Sequence, residues 1–192
     1  MYLFFDTETT GLPRSHHVSV RNLENWPRVV QIAWLTYSIS GRLLSENNYI
    51  IKPEGFIIPK EATKIHGITT KQALAEGYDL NNVLTQFARD VNKANLVVAH
   101  NIDFDEKIVA AEFLRKKIKH KLSKKPKICT MRSSTEFCEI PGYYGKYKWP
   151  NLQELHYTLF DRDFEEMHNA LADVKACAKC FFELKKQEVI KF

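Results

Sequence analysis

Residues 2–11 read Y-L-F-F-D-T-E-T-T-G, from Tyr2 to Gly11. An unbroken apolar run that meets Asp6 describes a short strand buried on both faces, as at the centre of a mixed or parallel sheet. Thr10-Gly11-Leu12-Pro13 breaks it. Asp6 and Glu8 are two positions apart, so on an extended chain both carboxylates project to one side. No cation lies nearby in sequence. Two like charges at the edge of an apolar run are costly unless a cation sits between them. Carboxylate oxygens suit Mg²⁺ or Mn²⁺ rather than zinc. Taken alone, D-x-E is read more simply as two solvated acids at a strand end.

Working outward, Arg28–Ser38 (RVVQIAWLTYS) is rich in β-branched and aromatic residues and predicts a second strand. The Ser40-Gly41 turn pairs it with a third over Leu43–Lys52. Leu80, Val83, Leu84, Phe87, Ala88 and Val91 recur at helical spacing, which predicts a helix over 79–94 with Asp79 as N-cap. Asn95–His100 is a fourth strand and about 103–117 a second helix. Lys127–Thr130 is a short fifth strand, followed by a short helix over 131–138. Asn151-x-x-Glu154 is a capping box that opens a helix over 152–159. Ala170, Val174, Cys177, Phe181 and Leu184 line one face of a last helix ending near Lys186. The expectation is one α/β domain over residues 1–192, with a mixed sheet and helices on both faces.

The chain has 192 residues, 44% hydrophobic and 27% charged, a globular balance that excludes a disordered chain. No apolar run reaches the ~20 residues that cross a bilayer. The start of the chain does not read as a signal peptide, and four cysteines are too few for a disulfide scaffold. These features predict a soluble protein of a reducing compartment, the cytoplasm, without a membrane partner. The net charge of +5 is local. Residues 115–127 (RKKIKHKLSKKPK) hold eight basic and no acidic residues, leaving 20 basic against 23 acidic elsewhere. A uniformly basic coat of the packaging type is excluded.

Two further segments carry acids. His100-Asn101-Ile102-Asp103-Phe104-Asp105 follows the fourth strand, and either aspartate suits a helix N-terminus. In His168-Asn169-Ala170-Leu171-Ala172-Asp173, one continuous helix would set His168 and Asp173 about 140° apart at ~100° per residue. They share a site only if His168 lies in the loop before the helix. The acidic run Asp161–Glu166 and Met167 fit such a loop, and Ala170 and Ala172 would let the helix approach the sheet closely.

In order, these segments resemble the DEDDh exonucleases, the DnaQ-like family that includes the epsilon proofreading subunit of bacterial DNA polymerase III, RNase T and oligoribonuclease. The epsilon subunit is the most similar branch. D-T-E-T-T-G (Asp6 to Gly11), H-N-I-D-F-D (His100 to Asp105) and H-N-A-L-A-D (His168 to Asp173) match its three motifs. The second match selects Asp105 over Asp103. Ile65-His66-Gly67-Ile68-Thr69 looks like a segment of the epsilon-like branch. The resemblance implies an RNase H-like five-stranded mixed sheet with strand 2 antiparallel. It also implies metal-dependent hydrolysis from a nucleic acid 3′ end with release of nucleoside 5′-monophosphates. Asp6, Glu8, Asp105 and Asp173 would hold two Mg²⁺ or Mn²⁺ ions, with Asp6 bridging both and Asp105 acting through water. His168 would be the general base.

By the same resemblance, Thr9, Thr10 and Gly11 meet the terminal nucleotide, Leu12 is an apolar wedge between the last two bases, and His66 and Phe104 lie near that nucleotide. The simpler readings are a packed turn, a core leucine, a capping histidine and a core aromatic. The expected partner is a single-stranded or frayed DNA 3′ end. RNA is the alternative substrate, and an inactive nucleic-acid-binding or polymerase-docking module the alternative class. An intact set of acids and histidine favours an enzyme. The chain stops shortly after its last helix, from which a stand-alone nuclease is expected rather than a stable polymerase subunit.

Four features remain outside the motifs. Tyr143-Tyr144-Gly145-Lys146-Tyr147-Lys148-Trp149 interleaves aromatics with lysines, as nucleic-acid contacts do. An ordered connector with Trp149 packed on the core is the simpler account. The basic segment 115–127 is either a solvated helix end or a remote patch that captures a long strand. Cys177-x-x-Cys180 has the spacing of a zinc or redox pair, but Cys177 lies on the apolar stripe of the last helix and the sequence has no second CxxC or CxxH, so a structural reading is preferred. His16 and His17 read as a solvated loop.

Overall fold

The computed structural model describes residues 1–165 and 167–191; Glu166 of the acidic run and Phe192 at the chain end lie outside the described residues. Five strands, β1 (Tyr2–Thr9), β2 (Val29–Tyr37), β3 (Leu43–Ile50), β4 (Leu96–Ala99) and β5 (Lys127–Cys129), form one sheet in the order β3-β2-β1-β4-β5. β1 pairs antiparallel with β2 and parallel with β4, and β2 is antiparallel to both neighbours. This is the mixed RNase H-like arrangement with strand 2 reversed.

Alternation along β1 divides the core. Leu3 and Phe5 face α3 (Leu80–Lys93) and α4 (Ile102–Lys116), packing with Phe87, Val91, Ile108 and Phe113. Tyr2 and Phe4 face α8 (Ala170–Lys186), packing with Val174, Cys177, Phe181 and Leu184. Each large side chain so buried contributes about 1.5–3 kcal/mol. Helices therefore cover both faces, as expected for an α/β sheet. The caps read from sequence are formed. Asp79 accepts the Asn82 N–H at 2.8 Å, and Asn151 and Glu154 close a reciprocal capping box at the start of α7 (Leu152–Phe160). Among the described residues no helix is long and apolar enough to cross a membrane.

Three elements differ from expectation. β1 runs through Thr9, so Asp6-Thr7-Glu8 lies within the strand rather than at its end. It continues because β2 pairs with it as far as Val29, past a bulge between Glu8 and Thr9. The segment before α3 holds two unforeseen helices, α1 (Lys60–His66) and α2 (Thr70–Glu76). Each has seven residues, too short to stand on propensity alone. They exist because Ala62, Ile68 and Ala73 pack against Val30 and Ile58. Gly67, at φ +77°, closes α1 in a left-handed cap that a side chain would strain. The expected helix over 131–138 is two single turns, α5 (Thr130–Ser133) and α6 (Thr135–Cys138), interrupted at Ser134.

Candidate active site

The pairing limits of β1 create the site. β4 pairs with β1 only as far as Phe4, because the chain leaves β4 at Ala99 for α4. Beyond that point the β4-side edge of β1 is free of the ladder. The Thr7 N–H, which points there, donates instead to Asp105 Oδ1 at 3.0 Å, and the Thr7 hydroxyl donates to the same oxygen at 2.6 Å. Asp105 is buried in the first turns of α4. Asp103, on the same turn, pairs with Arg132 at the surface instead. Asp6 and Glu8 project from the other face of β1, the α8 face, where Asp173 stands in the first turns of α8. Thus a strand and the N-terminal turns of two helices on opposite layers bring Asp6, Glu8, Asp105 and Asp173 together.

His168 lies in the loop before α8 in the left-handed region, at φ +63°, and its N–H donates to Asp173 at 3.1 Å. The loop solves the helical phase problem, since α8 starts only at Ala170 with Asn169 as its N-cap. Ligand atoms of Glu8, His168 and Asp173 all lie within 4.8 Å of one another. Ala170 is fully buried and touches the sheet, whereas Ala172 is only half-buried.

The electrostatics follow from this crowding. Burial, then the charges of Asp105, Asp173 and Glu8, holds the Asp6 carboxyl well above its ordinary value. Glu8 is pushed up to about 8, by burial and then by Asp173 and Asp105. Asp105 rises to about 7, burial outweighing the two Thr7 hydrogen bonds. Asp173 rises to about 6 through burial, against the His168 N–H. Among the described residues no lysine or arginine forms an ion pair with any of the four. A set of oxygen donors that cannot all ionise alone is the donor chemistry of hard divalent cations.

Two clefts flank the carboxylates. One, of about 170 Å³, is lined by Thr7, Glu8, Thr9, Gly11, Leu12, Ile65, His66 and Phe104. It gathers five of the six residues expected at a terminal nucleotide. Leu12 is 77% exposed, so the core-leucine reading is wrong. Phe104 packs partly on the core yet shows a face to the cleft. His66 Nδ1 accepts the Ile68 N–H, which fixes its ring toward the Thr9 backbone. Burial lowers the His66 pKa below the ordinary histidine value. Thr10 is the sixth, and it is outside the cleft lining. Its hydroxyl accepts the Arg28 N–H at 3.0 Å and serves the turn. The other cleft, about 220 Å³, is lined by Asp6, His168 and Asp173 on one side and by His100, Asn151, Leu152 and Gln153 on the other.

Sequence reasoning missed two residues that position the site. Gln31, buried in β2 opposite Glu8, accepts the Ala170 N–H at 3.1 Å and pins the start of α8 to the sheet. A glutamine amid V-V-Q-I-A was the available signal, because a buried amide must be hydrogen-bonded. His100, at the end of β4, contacts Thr130 Oγ1 at 3.0 Å through Nδ1 and Pro150 O at 3.1 Å through Nε2. Burial takes its pKa down to about 4, so it is neutral and bridges two loops.

Other expectations are revised. Trp149 is not packed on the core: it is 60% exposed, with Arg132 over its ring at 5.5 Å. The basic segment lies at the start of β4 and β5, the sheet edge opposite the carboxylates. Half of its cations have structural partners. Arg115 pairs with buried Glu112 and caps Leu23 and Trp26 carbonyls, Lys116 pairs with Glu54, Lys125 binds Asn92 and Ala94 carbonyls, and Lys127 pairs with Glu106. Cys177 and Cys180 are buried in the core beneath β1.

A family model described as Exonuclease, that of RNase T, matches residues 3–181. A stretch of 115 residues is 29% identical to the PolC-type DNA polymerase III of Mycoplasmopsis pulmonis (strain UAB CTIP), covering 59% of this chain and 7% of that protein. E. coli exonuclease I in complex with a dT13 oligonucleotide matches the fold with a TM-score of 0.77 at 18% identity, over 97% of this chain and 41% of that one. A moderately thermophilic exonuclease I from Methylocaldum szegediense gives 0.74 at 19% identity, over 97% and 40%. This chain thus spans under half the length of these relatives. Exonucleases of this kind use divalent metal ions. With a matching family model over most of its length and an RNase H-like sheet beneath it, the chain belongs to the exonuclease family, the DnaQ-like 3′–5′ exonucleases.

Proposed function

We propose that the chain hydrolyses phosphodiester bonds one nucleotide at a time from the 3′ end of single-stranded or frayed DNA, releasing nucleoside 5′-monophosphates. The observation that carries this reading is the convergence of four half-buried or buried carboxylates, unpaired by any lysine or arginine among the described residues, beside an exposed histidine. Asp6, Glu8 and Asp173, with Asp105 behind them, would hold two Mg²⁺ or Mn²⁺ ions. Bound there, such ions stabilise charge on the attacking and leaving oxygens of the phosphodiester.

The chain's own residues do the rest. Thr9, Gly11, Leu12, His66 and Phe104 seat the terminal nucleotide in the smaller cleft. His168, exposed beside Asp173, takes a proton from the attacking water. The water oxygen bonds to phosphorus, and the 3′ oxygen of the preceding nucleotide leaves. Thr7 orients Asp105 through its two hydrogen bonds. DNA is favoured over RNA because the PolC-type relative is a DNA polymerase and exonuclease I was solved with dT13. The test uses 5′-labelled single-stranded DNA, duplex DNA and RNA with Mg²⁺, Mn²⁺ or chelator. A mononucleotide ladder on single-stranded DNA, stopped by chelator, is expected. Internal fragments alone, or undiminished activity in chelator, would overturn the reading.

A further inference from the structure

Between α6 and α7 the chain builds a small hairpin. Pro141 bridges Tyr147, the Gly142 N–H donates to Lys146 O at 2.9 Å, and the Lys148 N–H donates to Ile140 O at 3.0 Å. Gly142 is required there, because a Cβ would sit 2.7 Å from the Lys146 carbonyl oxygen. At the tip, Tyr143 is 89% and Tyr144 100% exposed. Two such rings in full contact with water add nothing to the core and are the kind of surface that binding covers. From Pro141 to Trp149 the hairpin has two lysines and no acid; Lys148 pairs with Glu154 and Lys146 lies at the tip.

Its base is fixed to the catalytic centre. Pro150 O is held by His100, and Asn151, the next residue, lines the cleft that contains Asp6, His168 and Asp173. On its other side, Trp149 lines a groove of about 400 Å³ with Lys107, Phe104 and the Arg132–Asp103 pair. Phe104 is shared with the cleft for the terminal nucleotide. The hairpin therefore rises beside one cleft of the carboxylates, and a groove that meets the other cleft at Phe104 runs along its base.

We propose that this hairpin is a stacking arm that grips single-stranded nucleic acid upstream of the scissile bond, Tyr143 and Tyr144 lying on successive bases and Lys146 meeting a phosphate. The inference rests on the proposed exonuclease reading of the site and adds to it a second, remote contact. Aromatic faces accept any base, so the arm gives length preference without sequence preference. Lys146, with no acid partner among the described residues, sits beside the two exposed rings, and a cation next to stacking faces matches a polyanion that carries bases, so a strand is the occupant that fits.

The test compares the wild type with a Tyr143→Ala/Tyr144→Ala double variant, on 5′-fluorescein dT12 and dT2. Binding is read by anisotropy in chelator and hydrolysis by KM and kcat with Mg²⁺. The Kd and KM for dT12 should rise about 5-fold or more for each lost stacking contact, with kcat unchanged and dT2 unaffected. Tyr143→Phe/Tyr144→Phe should restore wild-type values, and Lys146→Gln should flatten the log–log salt slope by ~0.7. Unchanged dT12 binding in the double alanine variant overturns the proposal and leaves the hairpin as a protein contact. Equal losses on dT2 and dT12 also overturn it. If the wild type binds dT12 through the tyrosines but hydrolyses nothing, the arm stands and the exonuclease reading falls.

Discussion

At the scale of single residues, two side chains test opposite kinds of burial. His168 is exposed and free to meet water, and in the proposed reading the four acids beside it would hold the cations. His168→Ala should lower kcat about 10²–10⁴-fold at pH 7, while Mn²⁺ still raises the melting temperature. Wild-type turnover in this variant would remove His168 from the reaction. Glu112 is the reverse case. It is fully buried, accepts from Arg28 at 2.7 Å and from the Val29 N–H at 3.2 Å, and lies 3.1 Å from Arg115. Removing Glu112 leaves the Val29 N–H and two partly buried guanidiniums without their carboxylate, so Glu112→Ala should cost about 3 kcal/mol of unfolding free energy. Chemical denaturation checks this, and a loss under about 1 kcal/mol would show the cluster to be expendable.

At the scale of elements, the proposed mechanism depends on where α8 begins. One hydrogen bond, from the Ala170 N–H to Gln31, joins that start to the strand position opposite Glu8. Gln31→Leu keeps the volume and removes the acceptor. It should cost about 1–3 kcal/mol in stability, because the buried Ala170 N–H is left unpaired, yet reduce kcat by more than it raises KM, because the first turns of α8, which carry Asp173, are no longer tied to the sheet. Equal scaling of kcat with folded fraction would mean that Gln31 serves stability alone. α7 starts with a capping box whose loss through Asn151→Ala is worth roughly 1 kcal/mol. That box sets the direction in which Asn151 and Gln153 enter the cleft.

At the scale of the molecule, the carboxylate cluster links pH, metal and stability. The folded-state pKa values of Asp6, Glu8, Asp105 and Asp173 are all raised, with Glu8 near 8 and Asp105 near 7. The unfolded chain releases those protons near pH ~4. The metal-free folded state therefore binds more protons than the unfolded one between about pH 4 and 8, and its stability falls as pH rises. His100 acts in the other direction. Its pKa is lowered to about 4, so it contributes stability above the unfolded value of ~6.5 that is lost below it. From pH 6.5 to 8.5 the acids outweigh the lowered histidines His66, His100, His120 and His156, whose contribution is complete soon above 6.5. The melting temperature in chelator should fall across that window, and Mg²⁺ or Mn²⁺ should raise it more at pH 8.5 than at 6.5. A metal-free melting temperature that climbs, or an equal metal gain at both values, would contradict the linkage. The basic segment belongs to the opposite end of the sheet. Lys117→Gln, Lys121→Gln and Lys124→Gln together should leave the salt slope for a twelve-nucleotide strand unchanged; a slope flattened by ~0.7 per lysine would restore it as a strand contact.

What the sequence by itself determined was local in its physics. Apolar runs, helical spacing and caps located ten elements, because strand burial and helix phase are written in neighbouring residues. The three motifs named Asp6, Glu8, Asp105, His168 and Asp173, since order and spacing of acids survive in one dimension. Tertiary structure decided what depends on residues far apart in the chain. The early end of β4 freed the Thr7 N–H for Asp105, 98 positions away. α1 and α2 formed only because Val30 and Ile58 gave their small faces something to pack on. Exposure, too, is a property of the folded whole. Leu12, Trp149 and the tip tyrosines carry the same apolar letters as the core, and only the packing of every other element left them at the surface.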